Sequence, residues 1–295
     1  MPTAEIEADL VSLEQNALLR AELNFAARAT ALDFLEFHVL DRLGSLRQVA
    51  PAGLLLRQRA ERLQQQLEAI DAALFQRLRA GVRAGQYRGE DFRALAEAYV
   101  GRVAIPAGAS QVGYDLLDDF TNGLFPLPVL PQETAAREPE MVHYQKTPAR
   151  IVFELTATAA FTKEDVFVDI GAGLGHVPLL VGLLSGVAAR GVEIEPAYCE
   201  IAAGWAADLG LPQVAFRQAD ARYFDYAEGT VFFLYTPFGG GMLAEVLERL
   251  RAESQRRRIR LFTYGPCTRQ VARQPWLRGV GPAQADADRL ALFES

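Results

Sequence analysis

Residues 166–180 read VFVDIGAGLGHVPLL: an apolar run ending in an acid, three glycines at alternate positions, and a second apolar run. The first run suits a short buried strand and the second a buried helix. Glycine loses more backbone entropy on folding than any other residue, so Gly171, Gly173 and Gly175 require a reason. A tight strand-to-helix turn is one reason. A ligand is the other, because backbone N–H groups at a helix start can approach a bound group that a Cβ would block.

The same alternation continues downstream. Apolar runs at 166–170, 189–194, 213–218, 230–235 and 259–264 predict strands. The spacing at 149–161, 175–185, 196–209 and 242–253 predicts helices, with Pro196 well placed in a first turn. Strands at 276–280 and 289–293 follow one another with no helix between them. Strands alternating with helices imply an α/β fold, a mostly parallel sheet covered on both faces. The final pair implies an antiparallel end.

The first hundred residues carry the helical period instead. Leu10, Leu13, Ala17 and Leu18 begin an amphipathic pattern, and Leu32, Leu35, Val39, Leu43 and Leu46 continue it. Pro51 and Gly53 interrupt. Leu56, Ala60, Leu63, Leu67, Ile70, Leu74 and Leu78 then trace one long stripe, and 91–100 reads as a shorter helix. Such a stripe is the seam of a helical bundle; a dimerisation surface, giving a homodimer through these helices, or a substrate cap is the alternative. Residues 120–140, FTNGLFPLPVLPQETAAREPE, are rich in proline and have no period. The expected organisation is an all-α domain over 1–105, a linker or ordered loop over 106–143, and the α/β domain over 144–295.

Composition narrows the class. Hydrophobic residues make up 50% of the chain, enough for a sizeable core. No charge-free apolar stretch is long enough to span a bilayer, and MPTAEIEADL has neither the basic nor the apolar region of a secretory signal. Cys199 and Cys267 form no disulfide framework, so a reducing cytoplasmic setting is expected. The net charge of −7 argues against a nucleic-acid partner. His38, His143 and His176 form neither a metal set nor a triad, and no metal is expected.

Each of the first three strands of the α/β half ends in residues suited to an adenosine-type ligand. After the first come Asp169 and the glycines, in the tight spacing G-x-G-x-G; a dinucleotide fingerprint needs its third glycine at position 176, which is His176. The second, in ARGVEIEP, ends at Glu193, whose carboxylate can accept from both hydroxyls of a ribose. The third is followed by ADAR, where Asp220 can accept from an adenine amine and the Ala221 amide can donate to a ring nitrogen.

On these motifs, residues 144–293 resemble the class I S-adenosylmethionine-dependent methyltransferases, with VDIGAGLG, GVEIEP and ADAR as the three cofactor motifs and VFFLYTPF as the fourth-strand motif. YQKTPARIVFEL is similar to the segment that lines the methionine end in several of these enzymes, and with DIGAGLG it resembles protein-lysine methyltransferases, including the Dot1-like group. The resemblance covers about half the chain and implies a Rossmann-like seven-strand sheet, mostly parallel with an antiparallel last strand, behind the all-α N-terminal domain. The implied cofactor is S-adenosyl-L-methionine, with S-adenosyl-L-homocysteine as product. It implies cofactor contacts at Tyr144, Thr147, Asp169, Gly171, Gly173, Gly175, Glu193, Asp220, Ala221 and Tyr235. Enzymes that methylate adenine or glutamine nitrogen carry Asn/Asp-Pro-Pro-Tyr/Phe after the fourth strand, whereas this chain has Tyr235-Thr236-Pro237-Phe238.

Methyl transfer from a sulfonium is an in-line displacement, so alignment and exclusion of water matter more than acid–base groups. Tyr235, Thr236 and Tyr144 are the candidate acceptor rim, and His143 the candidate base. The expected acceptor is an amine, with protein lysine set slightly ahead of a small metabolite. A silent S-adenosylmethionine-binding scaffold and a nicotinamide oxidoreductase are the other readings.

Overall fold

The computed structural model describes residues 2–44, 51–103, 113–127, 129–281 and 286–295. The chain begins with α1 (Pro2–Gln15), a 3-10 turn (Ala17–Arg20) and α2 (Phe25–Asp33), which runs through a π-helical stretch (Phe34–Leu40) into α3 (Asp41–Gly44). Next come α4 (Pro51–Arg83), α5 (Glu90–Val100), α6 (Leu116–Leu124) and α7 (Ala149–Ala159). The sheet region follows as β1 (Val166–Ile170), α8 (His176–Ser185), β2 (Ala188–Glu193), α9 (Pro196–Asp208), β3 (Val214–Gln218) and β4 (Val231–Tyr235). It closes with α10 (Gly240–Ser254), β5 (Arg260–Tyr264), α11 (Thr268–Val271), β6 (Arg278–Val280) and β7 (Ala291–Glu294).

The seven strands form one sheet in the order β3-β2-β1-β4-β5-β7-β6. Neighbours from β3 through β5 are parallel, while β7 runs antiparallel to both β5 and β6. This is the mostly parallel seven-strand sheet with an antiparallel end that the sequence predicts. The order reverses between β1 and β4, and such a switch point opens a crevice at the carboxyl ends of the strands. Alternation along β4 sends Val231 and Phe233 to one face and Phe232 and Leu234 to the other. The second face is closed by Met242, Leu243, Val246, Leu247 and Leu250 of α10.

The first face is shared with the N-terminal helices. Leu74, Phe75, Leu78 and Val82 of α4, Phe92, Ala96 and Tyr99 of α5, and Phe120 of α6 belong to the same core as Leu179–Leu183 of α8 and Phe167 of β1. A second, smaller core unites α1 to α3 with the first half of α4 through Ile6, Leu10, Leu35, Val39, Leu56, Leu63 and Leu67. The fully buried Arg28 fastens α2 to α4, its Nε donating to Asp71 at 2.7 Å while its remaining nitrogens donate to the carbonyls of Leu19, Ala21 and Glu22.

The structure departs from the sequence reading in four places. Pro51 opens α4 instead of interrupting a helix, which suits a residue with no N–H to satisfy. Leu18, placed on the apolar stripe, sits in the 3-10 turn and is exposed. The 106–143 segment, read as a linker or loop, contains α6, whose start is closed by a reciprocal capping box between Asp115 and Asp118. The short helix α11 between β5 and β6 has no sequence periodicity to announce it. Leu46 and residues 106–112 lie outside the described residues. No helix among the described residues is long and apolar enough to cross a membrane.

Candidate functional site

The carboxyl ends of β1 to β5 open into one cavity of about 570 Å³. Of the sequence-derived candidates, His143, Tyr144, Gly171, Gly173, Glu193, Asp220, Ala221, Tyr235 and Thr236 line it. Asp169 and Thr147 line a smaller adjoining cleft that shares Tyr144, Gly171 and Tyr235 with the cavity. Gly175 lines neither.

All three glycines of the first loop have left-handed backbone, with φ of 81°, 52° and 79°. A Cβ at Gly171 would collide with Pro237, and one at Gly173 with the Tyr144 ring. A Cβ at Gly175 would collide with Phe216 and Ala202, so this glycine serves helix-to-sheet packing. The loop is tied to β2, since Gly171 and Ala172 both donate to the Val192 carbonyl at 2.9 and 3.0 Å.

Glu193 is held where β2 ends. Its carboxylate accepts the backbone N–H groups of Gly173 (2.8 Å), Ile194 (2.8 Å) and Glu195 (2.9 Å). Burial nonetheless raises its pKa, against the pull of those donors. Asp169 is buried more deeply. Burial first, and the neighbouring Glu193 charge second, push its carboxyl well above the usual range. Among the described residues neither carboxylate is in an ion pair, and Glu193 faces the cavity while Asp169 faces the adjoining cleft.

Asp220 differs. It is gripped by Arg222, with Nη2 to Oδ2 at 2.6 Å, and this partner holds its carboxyl below the usual range. Arg222 also pairs with Glu138. Most of the Asp220 accepting capacity is thus already used, while the Ala221 amide sits beside it on the cavity wall.

At the end of β4, Thr236 has φ of 40°, an unusual conformation for a β-branched residue. Its hydroxyl donates to the Tyr264 carbonyl (3.3 Å) and accepts the Cys267 N–H (3.1 Å), so it holds this loop to the end of β5. The ring of Tyr235 lies 5.0 Å from that of Tyr264, and burial pushes its hydroxyl up to about 12.

A segment between α6 and α7 crosses the cavity as a strap, and sequence reasoning missed it. Glu195, the N-cap of α9, accepts the Thr134 N–H (2.6 Å), the Thr134 hydroxyl (2.9 Å) and the Ala135 N–H (2.8 Å) at one end of the strap. Burial alone would raise the Glu195 carboxyl, but these donors keep it below its ordinary range. At the other end, Glu140 accepts the Gly241 and Met242 N–H groups at 2.9 and 2.7 Å, capping the start of α10. Met141 bridges Phe238, and Val142 donates to the Pro237 carbonyl at 3.0 Å. Between the anchors, Glu133 accepts the Tyr198 hydroxyl (3.1 Å) and pairs with Arg137, which also contacts exposed His143. The partners that tie the strap to α9 and α10 are 60 or more residues from their mates in sequence, whereas Glu133, Arg137 and His143 pair within the strap; Glu195-Pro196 shows only its local capping signal.

His176 packs between Phe125 and Trp205, with the Tyr144 hydroxyl 3.4 Å from Nδ1. Burial, with Lys146 nearby, pushes its pKa down to about 3, so it stays neutral and structural. Among the described residues, no group of three or more His, Cys, Asp or Glu side chains is placed to hold a metal ion.

No family model and no curated protein matches the chain. Solved structures do. An RNA methyltransferase from Salinibacter ruber, in complex with S-adenosyl-L-homocysteine, is 22% identical at a TM-score of 0.39, over 51% of this chain and 92% of that one. A SAM-dependent methyltransferase from Geobacter sulfurreducens, with the same ligand, is 24% identical at 0.33, over 43% of this chain and 54% of that one. One from Thiobacillus denitrificans, also with that ligand, is 20% identical at 0.33, over 42% and 51%. The chain thus spans about half the length of the latter two.

Proposed function

We propose that this chain binds S-adenosyl-L-methionine over β1, β2 and β3 and transfers its methyl group to an amine held over β4 and β5. The observation that carries this reading is the pair of carboxylates beside the glycine loop, buried Asp169 and half-buried Glu193, neither of them in an ion pair among the described residues. They suit a ligand that brings an ammonium, a sulfonium and ribose hydroxyls. A nicotinamide dinucleotide is the poorer fit, because its fingerprint needs a third glycine at position 176, which is His176.

In this reading Asp169 accepts from the methionine ammonium, with Thr147 beside it in the smaller cleft. Glu193 uses its remaining lone pairs for the ribose hydroxyls, fixed in direction by the three amides behind it. The Ala221 N–H and Asp220 meet the adenine edge. Tyr144, lying on Gly173, separates cleft from cavity. The cofactor supplies a methyl carbon already activated by the adjacent positive sulfur. The chain aligns the acceptor and excludes water: Tyr235 orients the incoming amine, Thr236 fixes the loop that carries Tyr235, and the strap covers the cofactor half. His143, exposed on the strap beside Arg137, is the group placed to take a proton.

The protein-lysine acceptor implied by resemblance is set second. Arg137, Met141, Val142 and His143 of the strap line the cavity above the strand ends, and a covered cavity suits a small amine better than a side chain on a protein surface. Calorimetry with S-adenosylhomocysteine and NADH, followed by labelled-methyl transfer, tests the reading. Micromolar binding of the first and none of the second is expected. Preference for NADH, or no binding of either, overturns it; binding with no transfer to any amine leaves the scaffold.

A further inference from the structure

The two halves of the cavity differ in how their charges are met. Over β1 to β3 every charged group other than the two facing acids has a partner: Glu195 has the strap amides, Asp220 has Arg222, and Arg137 has Glu133. At the opposite end, Arg269 of α11 and Asp288, just before β7, both line the cavity. Neither is in an ion pair among the described residues. The Tyr235 and Tyr264 rings, tilted 36° to one another, lie on the same side, at the ends of β4 and β5. A guanidinium presents a planar fork of donors that matches a carboxylate or phosphate, and one at a cavity wall with no protein partner has that fork free. The cofactor half is shaped for cations and hydroxyls; the acceptor half offers one charge of each sign.

We propose that the methyl acceptor is a small amine that also carries a carboxylate or phosphate, with the anion seated on Arg269 and Asp288 disfavouring a second one. The proposal rests on the cofactor reading above. The neutral amine nitrogen forms the new N–C bond with its lone pair as the S–CH₃ bond breaks. The electron pair of the broken bond stays on sulfur, leaving a neutral thioether, and the new ammonium gives its extra proton to His143, which is exposed and passes it to solvent.

Two matched pairs test it: β-alanine against β-alaninamide, and O-phosphoethanolamine against ethanolamine. Each is offered with tritiated-methyl S-adenosylmethionine to the wild type, Arg269→Gln and Arg269→Lys, and its binding to the S-adenosylhomocysteine-loaded protein is measured by calorimetry. The expected result is preference for the anionic member of one pair by about tenfold or more, which also tells carboxylate from phosphate. Arg269→Gln loses that preference while its affinity for S-adenosylhomocysteine is unchanged, and Arg269→Lys retains part of it. Selective binding lost in Arg269→Gln supports the site even where transfer is slow. Equal handling of both members, an unaltered Arg269→Gln, or no saturable binding of any probe overturns it. Failure of S-adenosylhomocysteine to bind sinks the cofactor reading instead; the same four compounds are then titrated into the free chain, where anion-selective binding lost in Arg269→Gln supports the seat and its absence overturns it.

Discussion

Asp169 and Glu193 are carboxylates taken out of water with no cation between them, and that arrangement has a pH signature. The Asp169 pKa is raised in the folded chain by burial and by Glu193. As pH rises from the ordinary carboxylate range through that raised value, the unfolded chain ionises first and free-protein stability falls. A bound ammonium offsets the penalty, so the thermal shift produced by S-adenosylhomocysteine should grow as pH rises from the ordinary carboxylate range toward the raised Asp169 value. Asp169→Asn should flatten that profile and weaken binding by roughly 10- to 150-fold, the range for a charged hydrogen bond of about 1.5–3 kcal/mol. A pH-independent shift in the wild type would remove Asp169 from the site. The neighbouring glycine loop makes a second, separable claim. Gly173 has φ of 52° and lies under the Tyr144 ring. Gly173→Ala should cost about 1–2 kcal/mol in left-handed strain alone and displace Tyr144, lowering both the urea midpoint and ligand affinity. A variant altered in neither would show that the ring does not need this backbone.

At the scale of elements, the strap is held by backbone amides donating to Glu195 and Glu140 and by ion pairs, with little apolar packing, and such contacts open more readily than a core. Glu140→Ala removes the acceptor at the start of α10, and Gly240→Ala places a Cβ against the Glu140 carboxylate at φ of 54°. Both should speed release of S-adenosylhomocysteine several-fold in stopped-flow measurements while leaving the sheet intact; unchanged release would show that ligand leaves by another route. The amides of Met242 and Gly241 hold the Glu140 carboxyl below its usual range. This anchor is therefore present above the ordinary carboxylate pKa and lost as pH falls through the lowered one. The strap also marks where sequence stops being legible. Strands β1, β4 and β5 could be read because each is a mostly buried apolar run, and β2 and β3 because a short apolar core recurs between helical stretches; Glu193 could be read because it ends β2. Thr134 and Glu195, Glu140 and Met242, and Arg222 and Glu138 meet only after the chain has folded, so a proline-rich stretch without a period shows nothing of its anchors. The same reason hides Arg269, on a helix too short to have a period, and the double engagement of the Thr236 hydroxyl.

At the scale of the whole molecule, α4 decides how the N-terminal helices relate to the α/β half. Its 33 residues run about 50 Å at 1.5 Å per residue. Leu56, Leu63 and Leu67 at one end belong to the small core with α1 to α3, whereas Leu74, Leu78 and Val82 at the other belong to the core that covers the sheet. Leu63 and Leu78 are both buried, at 3% and 0% exposure, so truncating either to alanine should cost about 2–5 kcal/mol locally. The consequences should differ. Leu78→Ala loosens α4 against α6 in the core that also holds α8, the helix leading out of the glycine loop, and should lower the global melting temperature and the affinity for S-adenosylhomocysteine together. Leu63→Ala should raise hydrogen exchange in α1 to α3 and leave affinity within about twofold, because its core reaches none of the strand-end loops. Equal loss of affinity in both variants would mean that α4 transmits strain along its length and that the two cores open as one unit. Retention of affinity in Leu78→Ala would mean that the strap and strand ends hold the site without support from the helices beneath.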